Sequence, residues 1–179
     1  FRWRDYAPIH DIDDILMCGD ERVYELIDCM FSTLAECFTT RIVNVGMDEA
    51  HNMGRGKYFD LYGEANHTEL LLSHLNRVSE IAARHGFEIC MWSDMYFNFA
   101  TGACNYFKPY AEVDERVGDL IPANASLIYW DYYKRPTDDY TGMMRVHEKI
   151  KPGYWYAGGV WTWDGWSTQN RYSIEALKN

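Results

Sequence analysis

No run of apolar residues in the 179-residue chain approaches the ~20 needed to cross a bilayer, and no basic stretch leads into an apolar one at the start. Neither a membrane partner nor a secretory signal is therefore expected. Positive charge is scarce: 17 Lys and Arg stand against 27 Asp and Glu, for a formal net charge of -10. Binding to a phosphate backbone depends on Lys and Arg neutralising charge, so nucleic acid is not an expected partner. Cysteine is sparse and unpatterned. Cys18, Cys29, Cys37, Cys90 and Cys104 are odd in number and contain no CxxC, which argues against a disulfide framework and a zinc cage. They read as small buried hydrophobes in a reducing compartment, and with the missing signal they point to the cytoplasm. Repeats and low-complexity tracts are also missing, and the glycines of "NMGRGKY" lack the GxxxxGK[ST] pattern of a phosphate loop, so they read as a turn.

What is present is an apolar, aromatic chain: 47% of residues are hydrophobic and 16% are Phe, Trp or Tyr, ample for one packed core. After a polar entry containing "DIDD", Asp20 can cap a helix whose apolar positions Val23, Leu26, Ile27, Met30, Leu34 and Phe38 keep helical spacing. Arg41 to Met47 reads as a buried strand through Ile42, Val43 and Val45. Thr68 to His85 repeats the helical pattern and stops at Gly86, and "FEICMWSDM" from Phe87 is a second strand. An irregular segment follows, with a short helix between Glu112 and Leu120. Ser126 to Tyr133 is a third strand, Asp139 to Ile150 a helix, and Tyr156 to Trp166 a fourth strand in which Gly158 and Gly159 permit close approach. A last helix begins near Arg171.

Strands alternating with helices imply a parallel sheet covered on both faces. Each strand ends in a polar or aromatic cluster, "MDE", "MWSD", "YWDYY" and "WTWDGW". In a (β/α)8 barrel the chemistry gathers at the C-terminal strand ends, whereas a doubly wound sheet uses mainly one crevice. The barrel is therefore the expected α/β architecture. A whole barrel takes about 250 residues and eight units. Four units, in a chain that begins with Phe1 rather than Met, read as a partial barrel occupying residues 1–179.

Asp48 and Glu49 are adjacent carboxylates where the first strand emerges. In a partly enclosed site two such groups do not both ionise easily, and a protonated member can serve as a general acid. A lone acidic pair at a strand end is commonly a solvated loop start. Joint placement favours function, because Trp92, Trp130, Trp161 and Trp163, with Tyr129, Tyr132 and Tyr133, crowd the same ends, where ring faces suit sugar CH groups and their N–H and O–H suit its oxygens. His51 near Glu49 forms no recognised metal-ligand spacing, so no metal and no cofactor is expected.

These residues resemble glycoside hydrolase family 20, the β-N-acetylhexosaminidases. The family signature His-x-Gly-Gly-Asp-Glu closes the fourth barrel strand, and the chain carries Asn44-Val45-Gly46-Met47-Asp48-Glu49, with Asn44 at the His position and Met47 at the second Gly. The string "GMDEAHNMGRGKY", followed in order by "MWSDM", "YWDYY" and "AGGVWTW", is similar to the bacterial exo-acting N-acetylglucosaminidase branch. The resemblance implies that the strands are four to seven of the barrel and that residues from strands one, three and eight complete the site. It also implies hydrolysis of terminal β-linked N-acetylglucosamine or N-acetylgalactosamine by substrate-assisted catalysis. Glu49 would be the acid and base, Asp48 would orient the acetamide, and Trp92, Asp94, Trp130, Tyr132, Trp161 and Trp163 would bind substrate. Two other readings stand beside it. One is a retaining barrel glycosidase with Asp131 or Asp164 as nucleophile, and the other a barrel that binds glycans without cleaving them.

Overall fold

The structure, a computed structural model, describes residues 4–100, 106, 115–132, 137–159 and 178. Trp161, Trp163 and Asp164, Tyr133, Cys104 and the helix expected from Arg171 lie outside the described residues.

A 3-10 helix, Arg4–Ile9, leads into a small antiparallel hairpin of β1 (His10–Ile12) and β2 (Ile15–Leu16). Helix α1 (Glu21–Cys37) follows, capped as the sequence suggests: the Asp20 side chain accepts the Arg22 N–H at 3.0 Å. Next come β3 (Ile42–Asn44), a short α2 (Lys57–Tyr62) and α3 (His67–Arg84). Helix α3 ends in a Schellman arrangement, with Phe87 N–H donating to Ala82 O and Gly86 N–H to Ala83 O. Gly86 sits at φ 76°, the left-handed conformation that glycine adopts without strain. The remaining elements are β4 (Glu88–Trp92), α4 (Asp94–Ala100), a 3-10 helix over Glu115–Leu120, β5 (Ala125–Trp130), α5 (Thr137–Ile150) and β6 (Trp155–Ala157).

Four strands form one sheet in the order β3-β4-β5-β6, every pair parallel. Spatial order equals chain order, so there is no point at which the strand order reverses, and hence no doubly wound crevice among the described residues. The arrangement is that of successive strands of a β/α barrel, an arc of the closed fold. One face of the central strands is covered by the helices. Ile89, Met91, Leu127 and Tyr129 join Phe31 of α1, Leu75, Val78 and Ile81 of α3, and Tyr140 and Met143 of α5 in one core.

Two expectations from the sequence do not hold. The first strand is not buried: Ile42 is 46% exposed and Val43 and Val45 are half-buried, because among the described residues β3 is an edge strand with β4 alone beside it. Cys29 and Cys37 are exposed rather than buried, since α1 turns them away from α3, whereas Cys18 and Cys90 are buried. Burial, with Asp11 nearby, pushes the Cys18 thiol up to about 12, which keeps it protonated and unreactive.

Candidate active site

The parallel ladder carries the chain to the sheet's C-terminal edge. Val45 N–H donates to Cys90 O at 2.9 Å and Trp92 N–H to Gly46 O at 3.0 Å, one step past the end of β3. There the backbone turns through left-handed conformations at Gly46 (φ 75°), Met47 (φ 68°) and Glu49 (φ 50°). Asn44 braces the turn by accepting the Gly46 N–H at 2.9 Å. A non-glycine residue in this region costs on the order of 1 kcal/mol or more, and such strain collects at functional sites. Met47 occupies the position where the resembled signature has a second glycine, and its φ gives a physical reason for glycine there.

The turn delivers Asp48 and Glu49 to a pocket of about 490 Å³, which Trp92, Trp130, Tyr132, Ala157 and Gly158 line with them. Both carboxylate residues are exposed. Five residues nominated from sequence thus line one pocket: one pair follows β3, Trp92 ends β4, Trp130 ends β5, and Tyr132 follows it. The Trp130 and Tyr132 rings lie 5.6 Å apart at 34°. Gly159 is what lets Tyr132 sit there, because a Cβ on it would fall 2.7 Å from the ring.

The other aromatic and acidic candidates go elsewhere. Asp94, nominated as a substrate contact, is 3% exposed and stands behind the wall. Its Oδ2 accepts the Glu49 backbone N–H at 2.9 Å and its Oδ1 the Trp130 indole N–H at 3.0 Å. Tyr129 and Asp131 are fully buried, with the Tyr129 hydroxyl donating to Asp131 Oδ2 at 3.0 Å and the Tyr156 hydroxyl to Asp131 O at 3.0 Å. Asp131 is therefore a buried anchor, and Tyr132 is the described tyrosine of "YWDYY" that lines the pocket. Trp161 and Trp163 lie outside the described residues.

Beneath the wall runs a polar chain that sequence reasoning missed. Tyr106, in the segment read as irregular, accepts the Trp130 backbone N–H at 2.9 Å and meets Ser93 Oγ at 3.0 Å. Ser93 Oγ in turn lies 2.9 Å from His147 Nε2, and His147 Nδ1 lies 2.8 Å from Met143 O. A carbonyl only accepts, so Nδ1 carries the proton and Nε2 is the acceptor. Burial pushes His147 down to about 4, so the ring is neutral at pH 7. No sequence signal marks the group, since its members are up to 54 residues apart. Among the described residues no cluster of three or more His, Cys, Asp or Glu could hold a metal ion.

Neither a protein-family model nor a curated protein matches the chain. The chain aligns with a GH20 β-N-acetylhexosaminidase. That structure, from Streptomyces coelicolor A3(2), is 15% identical with a TM-score of 0.43, and the alignment covers 74% of this chain and 20% of that one. Dispersin B is a second match, 16% identical with a TM-score of 0.47, covering 81% of this chain and 36% of that one. The chain thus spans about a fifth and about a third of the lengths of these two structures.

Proposed function

We propose that the chain is part of an exo-acting β-N-acetylhexosaminidase that hydrolyses terminal β-linked N-acetylglucosamine or N-acetylgalactosamine with the substrate's own acetamide as nucleophile. The observation that supports it is the placement of the adjacent Asp48 and Glu49 in one pocket with Trp92, Trp130 and Tyr132. An ordinary retaining pair needs carboxyls about 5 Å apart on opposite sides of the scissile bond, usually from different strands. Neighbours on one turn do not meet that need, but they suit a reaction in which neither attacks the sugar. The acetamido oxygen attacks the anomeric carbon and the bond to the leaving oxygen breaks. Glu49 gives that oxygen a proton, and the sugar becomes a cyclic oxazolinium. Asp48 accepts a hydrogen bond from the acetamide N–H and offsets its developing positive charge. Water then opens the ring at the anomeric carbon as Glu49 takes its proton, which restores the acid and retains configuration.

The protein-nucleophile reading loses one of its two candidates. Asp131 is fully buried, its carboxylate is engaged by Tyr129, and it does not line the pocket. The test uses the full-length protein and compares an aryl β-N-acetylglucosaminide with the matching aryl β-glucoside, alongside Glu49→Gln. Hydrolysis confined to the acetamido substrate and abolished in Glu49→Gln is expected. Comparable rates on both sugars overturn the mechanism, and binding without hydrolysis by the wild-type protein favours a glycan-binding role.

A further inference from the structure

Asp94 holds two residues of the pocket lining at once. Its burial at 3% exposure leaves little room for it to move, and each of its oxygens is used by a different donor. One is the backbone N–H of Glu49, whose left-handed φ of 50° fixes where its side chain leaves the turn. The other is the indole N–H of Trp130, which sets the tilt of a ring lining the pocket. Glu49 follows β3 and Trp130 ends β5, two strands with β4 between them. Asp94, the first residue after the β4 end turns into α4, spans that gap.

We propose that Asp94 is a positioning residue, a strut that sets the separation between the general acid and the aromatic wall by holding Glu49 N–H and Trp130 Nε1–H on its two oxygens. The idea rests on the proposed function, because only a reaction at Glu49 makes that separation matter to turnover. A sugar held against Trp130 reaches the Glu49 proton only if the two are spaced for it, and misplacement by about 1 Å can cost on the order of 100-fold. Two N–H donors converge on Asp94, and a carboxylate supplies an acceptor to each. An asparagine supplies one acceptor and one N–H2, so in Asp94→Asn one donor meets another donor.

That chemistry makes a test a general structural role would not pass. In the full-length protein, Asp94→Asn is expected to lower kcat by about 100-fold. Trp130→Phe removes the indole donor and is expected to raise KM by about tenfold with a smaller change in kcat. In the double variant the asparagine oxygen can turn to Glu49 N–H with no indole N–H facing its amide, and kcat is expected to recover about tenfold over Asp94→Asn alone. A double variant no faster than Asp94→Asn overturns the strut. An independent readout needs no substrate: the Trp130 indole N–H resonance, shifted downfield by its carboxylate partner, is expected to move upfield in Asp94→Asn. An unmoved resonance overturns the proposal even if hydrolysis falls. If the wild-type protein hydrolyses neither sugar, the proposed function fails, and the indole resonance still decides whether the contact forms.

Discussion

Replacing His147 with glutamine removes a group that the fold buries neutral, and the consequence is readable as a change in how stability depends on pH. The ring is fully buried, with Phe97 at 4.6 Å, Tyr129 at 4.8 Å and Tyr154 at 5.3 Å between ring centroids. Burial raises Tyr106, Tyr129 and Tyr154 above the usual phenol value, so these neighbours stay neutral in acid and the imidazole alone titrates among them. Desolvation holds His147 at about 4 in the folded protein, against 6.5 for an unperturbed histidine. A histidine depressed in this way binds a proton in the unfolded chain before it does so in the folded one. Its contribution is complete above pH 6.5 and is lost as pH falls towards 4. By linkage the loss is about 2 kcal/mol between pH 7 and 5, and about 3 kcal/mol by pH 4. The assay is urea unfolding of the full-length protein and of His147→Gln at pH 7, 6, 5 and 4. Any packing loss in the glutamine variant is independent of pH, so the variant is expected to sit lower at pH 7 and to fall less steeply, by about 2 kcal/mol over the first two pH units. Parallel curves would refute the reasoning, because the imidazole would then titrate alike in both states.

Two glycines give further predictions. Gly56→Ala places a Cβ 2.3 Å from the Asp11 carbonyl oxygen and from Ile12 Cγ2, and so drives Asp11 away from the Gly54 and Tyr58 N–H groups that its carboxylate holds at 2.6 and 2.7 Å. The expected loss is at least about 2 kcal/mol, seen as a lower urea midpoint, from overpacking and the two charge-assisted bonds together. Gly159→Ala pushes the Tyr132 ring off Trp130, and is expected to raise KM for the aryl N-acetylglucosaminide by about fivefold while the unfolding midpoint moves little, as befits a contact worth about 1 kcal/mol at a pocket wall.

The sequence carried the long elements well because each is strongly periodic and punctuated. Asp20 and Gly86 mark ends of α1 and α3 that are realised by a side-chain cap and a Schellman turn. The alternation of helix and strand predicted an all-parallel sheet, and the crowded strand ends brought Asp48, Glu49, Trp92, Trp130 and Tyr132 to one pocket. Gly158 and Gly159, expected to allow close approach, lie on the pocket and against Tyr132. Short elements escaped. Helices α2 and α4, of 6 and 7 residues, are too brief for periodicity to register. The β1–β2 hairpin was hidden in "DIDD", whose Asp11 is in fact a buried clamp on the loop after Glu49. The roles of Asp94, Asp131 and His147 were illegible for a different reason. Each depends on which way a side chain faces once strands distant in sequence are side by side, and single-chain spacing does not encode that direction.

The central claim is that the substrate's acetamide, not a protein carboxylate, attacks the anomeric carbon. The most direct measurement is kcat/KM of the full-length protein on aryl β-glucosaminides whose N-acyl group carries zero, one, two or three fluorines on its methyl carbon. Each fluorine withdraws electron density from the carbonyl oxygen and weakens it as a nucleophile while changing size little. A steep, progressive fall across the series is the result the account predicts. Rates that stay level as fluorine is added would contradict it.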